Sequence, residues 1–240
     1  KLRALRSAPQ VPMATFAVSV AVGLLVLATA TLSGVFGMAG GLVLLAALLA
    51  LMPVPAAMLL HGTAQATANG FRAALLWRHL RPGLLPPYLL GAALASALLA
   101  WLLWVPPRGA VLIAVGAFPW LARQSRALAG LSVERPVGAV FCGAVVTTAQ
   151  VLAGASGPLL DVFYLNGTLD RFAIVANKAL TQTLGHLLKI GYYGVLVGTA
   201  APAAELLPVI PLALLGTFLG RRLLERLSEA LQRSEERRVG

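Results

Sequence analysis

Charge and acidic side chains are scarce in this sequence. Charged residues make up 11% of the chain and hydrophobic residues 59%, whereas a typical soluble domain is about 25% charged. The mean hydropathy is +0.85. These values exclude an ordinary soluble domain. Apolar runs of about 20 residues, long enough to cross a bilayer, recur along the chain, so we predict a polytopic membrane protein.

Cysteine and histidine are also rare, and their scarcity excludes several kinds of chemistry. Cys142 is the single cysteine, so an intrachain disulfide is impossible. The three histidines are spread along the chain and do not have the spacing of metal ligands. No phosphate-binding glycine loop ending in lysine and serine or threonine is present. We therefore expect no metal, no cofactor and no ATP hydrolysis, and we predict that the protein is not an enzyme.

The net charge of +11 could suggest a nucleic-acid partner. However, most basic residues lie between or beside the apolar runs, where arginine and lysine set membrane topology. We therefore expect no nucleic acid, and we expect the lipid bilayer to be the main surrounding of the chain. The predicted location is the cytoplasmic (inner) membrane of the cell, with several membrane passes.

The apolar runs are too long and too continuous for the strands of a membrane barrel. The predicted fold class is therefore all-α, a polytopic transmembrane helical bundle with seven or eight membrane segments. The predicted helices, including two short pieces, cover residues 11–33, 42–51, 55–76, 84–105, 110–122, 137–151, 159–165, 171–193 and 208–224.

The chain contains an internal repeat with an offset of about 117 positions. Gly37 aligns with Gly154, and Gly40 aligns with Gly157. The other notable pairs are His61 with Lys178, Gln65 with Gln182, Asn69 with His186, and Arg72 with Lys189. Two structural repeats of similar organisation are therefore predicted.

These repeats divide the chain into four regions. Residues 11–105 form the first membrane repeat, 106–136 a connector with a short apolar segment, 137–224 the second membrane repeat, and 225–240 a polar tail. Residues 233–240 resemble a translated sequencing adapter, so they are left out of the fold prediction.

Each repeat contains a glycine-broken or re-entrant segment followed by an apolar piece too short to cross a membrane alone. A break frees backbone N–H groups, which must face protein, water or a ligand. The helix that restarts there has an N-terminus that attracts anions. Matched breaks in two halves are typical of a transporter's midplane site, although close helix packing through small residues is the alternative. The candidate binding residues at the breaks are Gly37, Gly40, Gly41, Gly154, Ser156 and Gly157.

Each break is followed by a helix with a polar stripe, because residues about 4, 8 and 11 apart lie near one face. Lys178 lies in an apolar segment, so it either pairs with Asp161 or attracts an anion. His61 could exchange protons near neutral pH or be structural. Arg72 and Lys189 are closer to the helix ends, where we expect their charges to snorkel toward water. The candidate binding residues on the stripes are His61, Gln65, Lys178, Gln182 and His186; interhelical hydrogen bonding is the alternative for the amides and His186.

The two breaks carry a recognisable pattern, gly-x-x-gly-gly at 37–41 and gly-x-x-gly-pro at 154–158. An ala-x-x-x-x-gly-thr feature follows at 57–63. With these motifs the chain resembles the sulfite exporter TauE/SafE family over about residues 11–226. The resemblance implies a membrane transporter of small sulfur- or carboxylate-bearing anions. The second half lacks this Gly-Thr and has Lys178-Ala179 in the matching region, which is a departure at a candidate substrate position.

The motif around Ser156 also resembles the nucleophile motif of rhomboid-like intramembrane proteases, with His186 on a later helix. Against this alternative, Ala39 stands where the first repeat would need the serine, and Pro158 follows at once. A non-transporting membrane scaffold explains neither the breaks nor the stripes. We therefore predict a secondary transporter or exporter of small anions such as sulfite or organosulfonates. Its expected partners are the anion and the bilayer, and a homo-oligomer is compatible with the sequence.

Overall fold

A computed structural model of the chain describes residues 16–36, 39–124, 130–165, 167–199 and 206–239. In these residues the regular structure consists of nine α-helices, two short 3₁₀ turns and one π-helical segment, without strands. The predicted all-α fold class is therefore confirmed. The helices are α1 (Phe16–Phe36), α2 (Ala39–Leu51), α3 (Val54–Leu75), α4 (Leu85–Leu102), α5 (Arg108–Gln124), α6 (Pro136–Leu152), α7 (Gly157–Leu165), α8 (Arg171–Gly191) and α9 (Val209–Val239).

The observed boundaries follow the predicted ones closely, except at the C-terminus, and the predicted start of the first helix at residue 11 lies outside the described residues. The last helix was expected to end near residue 224, but α9 continues to Val239. Residues beyond 220 are rich in Arg, Leu and Glu, which favour helix. Arg221 Nε also donates to Glu225 Oε1 at 2.8 Å, an i,i+4 pair that supports the same helix. The helix therefore extends well past its apolar part.

The two helices with polar stripes, α3 and α8, pack along each other. Around this pair, α1 packs on α9, and α4 packs on α6. The short helices lie beside the central pair, with α2 against α1 and α3, and α7 against α5, α6 and α8. The polar faces of α3 and α8 are thus brought together between the two halves of the chain.

Glycines allow α4 and α6 to approach closely. A Cβ atom at Gly143 would lie 2.9 Å from the carbonyl carbon of Tyr88 and 3.0 Å from the backbone N of Ala92. A Cβ atom at Gly91 would likewise overlap the backbone of Val140. Small residues at helix crossings are the usual means of helix association in membranes.

The outer surface of the bundle is strongly apolar. Leu90, Leu94 and Leu98 lie on one face of α4 and are each more than half exposed. Among the described residues, Pro82–Leu102 is the one helix long and apolar enough to cross a bilayer alone. The shorter apolar helices are Ser19–Val35, Ala39–Leu51, Arg108–Ala117 and Pro136–Leu152. An exposed leucine face of this kind suits lipid rather than water.

The start of α8 is fixed by an N-terminal cap. The Asp170 carboxylate accepts hydrogen bonds from the backbone N–H of Ala173 at 3.0 Å and of Phe172 at 2.9 Å. These two bonds favour the charged carboxylate, so they lower the pKa of Asp170. The cap satisfies two of the N–H groups that a helix start leaves without an intrahelical partner, and it sets the register of the polar face of α8.

Candidate functional site

A small cavity with several polar side chains in its walls lies between α3 and α8. Its walls come from both halves of the chain. In the first half the lining residues are Ser33, Gly41, Leu42, His61, Gln65, Ala68, Asn69 and Arg72. In the second half they are Gln150, Ala155, Ser156, Gly157, Pro158, Gln182 and His186. No Asp or Glu is among these residues.

Arg72 supplies the positive charge that lines this cavity. Its guanidinium donates to Asn69 Oδ1 at 3.3 Å and to the carbonyl oxygen of Ser33 at 3.2 Å. Asn69 is itself held by a bond from its Nδ2 to the carbonyl oxygen of Gln65, at 3.0 Å. Both acceptors of the guanidinium are neutral, and in the described part of the chain Arg72 forms no salt bridge. A guanidinium has five N–H donors, so the charge keeps donors for another partner.

A second group at this end of the cavity is unsatisfied. Ser33 is 4% exposed, and its hydroxyl oxygen makes no hydrogen bond within the described residues. A buried hydroxyl without a partner costs about 1–3 kcal/mol. A polar ligand that entered the cavity beside Arg72 could remove this cost. The unsatisfied hydroxyl and the arginine therefore indicate the same position for a polar ligand in the cavity.

In the second half of the chain, Gln150 connects the segment after α6 with α8. Its Oε1 accepts a hydrogen bond from Ser156 Oγ at 2.5 Å. Its Nε2 donates to the carbonyl oxygen of Gly154 at 3.0 Å and faces His186 Nδ1 at 2.9 Å. This arrangement uses both protons of the amide, so His186 Nδ1 acts as an acceptor. The wall is thus a connected polar network, in which each group fixes the next.

Behind this wall lies Lys189, which has no solvent exposure. Its Nζ donates to the carbonyl oxygen of Gly154 at 3.0 Å and lies 2.7 Å from His61 Nδ1. His61 Nε2 in turn lies 3.0 Å from the carbonyl oxygen of Gly41. Lys189 therefore does not snorkel as expected, because Gly154 and His61 provide polar partners inside the bundle.

Lys178 was predicted either to pair with Asp161 or to attract an anion, and the structure shows the pairing. Its ammonium donates to Asp161 Oδ1 of α7 and forms a salt bridge with it. The two side chains are 18% and 32% exposed, so the pair lies nearer the surface than Lys189. Lys178 is not among the residues that line the cavity. The pair neutralises the charge that was expected to attract the anion.

The other predicted binding residues are distributed as follows. Gly37 lies outside the described residues. Gly40 is buried against α1, and Gly154 contributes its carbonyl oxygen to the network behind the wall. Those that line the cavity are Gly41, His61, Gln65, Ser156, Gly157, Gln182 and His186.

Sequence reasoning did not include Ser33, Gln150 or the Arg72 guanidinium in the site. A usable signal was present, since Ser33 and Gln150 are separated by the same offset of about 117 positions as the other matched pairs. Arg72 and Lys189 are matched as well, and they are the one pair in which both halves carry a lysine or arginine. In each half this basic side chain donates to a backbone carbonyl in the last turn of the first helix or just beyond it.

The break after α6 depends on the left-handed backbone of Gly154, whose φ is 75°. A Cβ atom there would lie 2.6 Å from Leu45 Cδ2 and 2.7 Å from Met58 Sδ. We expect Gly154→Ala to lower the free energy of unfolding by about 2–4 kcal/mol, through backbone strain and overpacking. Thermal unfolding of the purified protein measures this change.

Gly198 is the matched control, because its φ is 72° and a Cβ atom there would meet nothing within 4 Å. Gly198→Ala should lower the free energy of unfolding by about 1–2 kcal/mol, because it adds backbone strain but no overpacking. Equal costs for the two variants would contradict the packing described around Gly154.

The geometry does not support the protease alternative. Ser156 Oγ donates to Gln150, and the His186 ring contacts the same amide. A serine nucleophile needs its proton accepted by the general base, whereas here an amide lies between the two groups. Ser156 therefore acts as part of the cavity wall.

The cavity has a volume of about 30 Å³, which is enough for one or two waters. An anion of several heavy atoms would need the walls to separate. The cavity is therefore too small for such an anion in this structure, although its polar groups already lie together.

In the described residues, an all-helical bundle with an apolar exterior encloses a cavity lined by Arg72 between α3 and α8, and these features are typical of a helical membrane transport protein. The profile of the family described as sulfite exporter TauE/SafE matches residues 21–234, nearly the whole chain. The chain belongs to this family, whose members are membrane transporters rather than enzymes. Searches of curated proteins and of solved structures found no significant match.

Proposed function

We propose that this protein is a multi-pass secondary exporter in the cytoplasmic membrane, and that its substrate is a small sulfur oxyanion such as sulfite or an organosulfonate. The proposed binding site is the cavity between α3 and α8. The observation that carries the proposal is the Arg72 guanidinium, which lines this cavity and whose hydrogen-bond partners among the described residues are neutral. An exporter of such anions is what family membership implies.

The charge of Arg72 supports an anionic ligand. A charge inside a membrane protein costs several kcal/mol unless a partner, water or a ligand compensates it. Three of the described carboxylates are engaged elsewhere: Asp161 is bound to Lys178, Glu134 to Thr168, and Asp170 caps α8. An anion in the cavity would supply the missing charge.

The arrangement of donors favours an oxyanion with several oxygens. Arg72 and Ser33 of the first half line the cavity together with Gln182 and His186 of the second half. The first turns of α2 and α7 reach the same cavity at Gly41 and Gly157, and such turns present N–H groups without intrahelical partners. Donors from both halves of the chain suit an anion with several oxygens.

The packing of the bundle supports a two-repeat mechanism. The first helix of each half packs on the last helix of the other half, α1 on α9 and α6 on α4. This exchange is expected if the predicted repeats are related by approximate twofold symmetry. Rocking of one half against the other would separate α3 from α8 and open the closed cavity to either side in turn.

A counterflow experiment tests the proposal. Purified protein in liposomes preloaded with unlabelled sulfite should accumulate labelled sulfite transiently, and external thiosulfate or sulfoacetate should compete. Short carboxylates should compete more weakly. Liposomes without protein provide the background. Exchange at this background level for every sulfur oxyanion would overturn the proposed substrate class.

A further inference from the structure

The buried pair formed by Lys189 and His61 has a role that anion binding alone does not explain. Lys189 has no exposure and His61 is 1% exposed. The two nitrogens, Nζ and Nδ1, lie 2.7 Å apart. Lys189 does not line the cavity, but His61 does. The lysine therefore lies one side chain behind the proposed anion site.

The hydrogen bonds of the pair determine how many protons it can hold. A carbonyl oxygen only accepts, so His61 Nε2, at 3.0 Å from the oxygen of Gly41, carries a hydrogen. In the neutral ring, Nδ1 is then an acceptor facing Lys189. The lysine nitrogen thus has two acceptors, His61 Nδ1 and the carbonyl oxygen of Gly154. A neutral amine has two N–H groups, which match these two acceptors.

If the Lys189–His61 pair takes up a proton, it needs a further hydrogen-bond acceptor and a compensating negative charge from outside the pair. An ammonium group has three N–H donors, one more than the acceptors given by His61 and Gly154. It also places a full positive charge at a site without exposure, where a charge is costly unless it is compensated. The same network is therefore complete when the pair is neutral, and it needs an anion nearby when the pair is charged.

The surroundings provide no compensating carboxylate among the described residues. On α8 itself the neighbours are His186, whose ring centroid is 5.4 Å from that of His61, and Lys178, which is paired with Asp161 of α7. Arg72 is the charged group on α3. The described parts of α1 and α2 carry no titratable side chain, and those on α9 with described positions are exposed. Arg171 of α8 and the turn residues Arg78 and His79 are exposed. The buried titratable groups on the other packed elements are not carboxylates and are uncharged at neutral pH: Tyr88, Cys142, Tyr164, Tyr192 and Tyr193.

We propose that the Lys189–His61 pair is a proton site coupled to the anion cavity. One proton passes from water to the Lys189 amine as an anion enters, and it returns to water as the anion leaves. No other bond forms or breaks. The anion compensates the new ammonium charge, and the ammonium strengthens anion binding. This inference rests on the proposed function, because it requires an anion in the cavity.

Calorimetric titration of the purified protein with thiosulfate measures the coupling. Thiosulfate is the anion of a strong acid, so it brings no proton exchange of its own near neutral pH. Titrations at one pH, in buffers with different ionisation enthalpies, give the number of protons taken up on binding. We expect about one proton for the wild type in the alkaline range, and a Kd that rises about tenfold per pH unit there.

Lys189→Met should reduce the proton number to zero and make the Kd independent of pH. The control is the double variant Asp161→Asn/Lys178→Gln, which removes the other lysine of α8 together with its partner and should keep the wild-type proton number. His61→Gln is a second variant if Lys189→Met does not fold, and it should lower the proton number as well.

Three results would overturn the inference. The first is thiosulfate binding by the wild type with no proton uptake between about pH 6 and 9; the anion-binding function would then stand without the proton site. The second is unchanged uptake in folded Lys189→Met. The third is the absence of binding heat for thiosulfate, sulfite and sulfate, which would remove the proposed function as well.

Discussion

Replacing Arg72 with glutamine should lower the rate of sulfite counterflow by about 100-fold at substrate concentrations below KM. The guanidinium supplies the only positive charge among the described residues that line the cavity. Loss of charge-assisted hydrogen bonds to an anion costs about 3 kcal/mol, which corresponds to a factor of roughly 100. Arg72→Lys should keep part of the activity, since it keeps the charge but loses the two-pronged geometry. Initial rates in liposomes, with the amount of folded protein matched, measure the effect.

The double variant Asp161→Asn/Lys178→Gln separates this account from the alternative suggested by sequence. It removes the Lys178 charge without leaving an uncompensated Asp161. Because this pair does not line the cavity, counterflow should stay within about threefold of wild type. Loss of transport in the double variant, with Arg72→Gln still active, would move the anion site to Lys178.

Gly143→Ala should destabilise the bundle strongly, by about 3 kcal/mol in the free energy of unfolding. The added Cβ would lie 2.9 Å from the carbonyl carbon of Tyr88, so the backbones of α4 and α6 would have to separate. Overpacking usually costs about 1–3 kcal/mol and more where backbone must shift. Thermal unfolding of the detergent-solubilised protein measures the loss.

Gly116→Ala is the matched control within a helix. A Cβ atom at Gly116 of α5 would meet nothing within 4 Å. This change should be neutral or stabilising by up to about 1 kcal/mol, because alanine favours helix over glycine. Similar destabilisation by both substitutions would show that the α4–α6 contact is not as close as described.

Many of the helix boundaries could be predicted from the sequence, because proline and glycine mark the places where helices begin and end. Pro53 and Pro136 lie where α3 and α6 begin, and the glycine-rich break before Gly157 separates α6 from α7. Proline near a helix start and glycine between helices both act within a few residues. Such signals can be read without knowing which helices pack together. The organisation into two repeats stays a prediction from the matched positions.

The site could be predicted less well than the fold, because the tertiary packing decides which polar side chains pair with each other. Lys178 and Lys189 both lie on α8, yet one reaches Asp161 and the other reaches His61 of α3. Distance from the helix end suggested that Lys189 snorkels, whereas the helix continues into the π-helical segment from Tyr192, which keeps this lysine inside. The role of Arg72 likewise depends on the approach of Ser33, which lies 39 residues earlier in the chain.

A structure determined with selenate, an anomalously scattering analogue of sulfate, tests the central claim most directly. The account predicts one anomalous peak between α3 and α8, within hydrogen-bonding distance of the Arg72 guanidinium and close to the Ser33 hydroxyl. A peak at Lys178 and Asp161, or peaks confined to the outer surface while the cavity between the two halves stays free of anion, would contradict it.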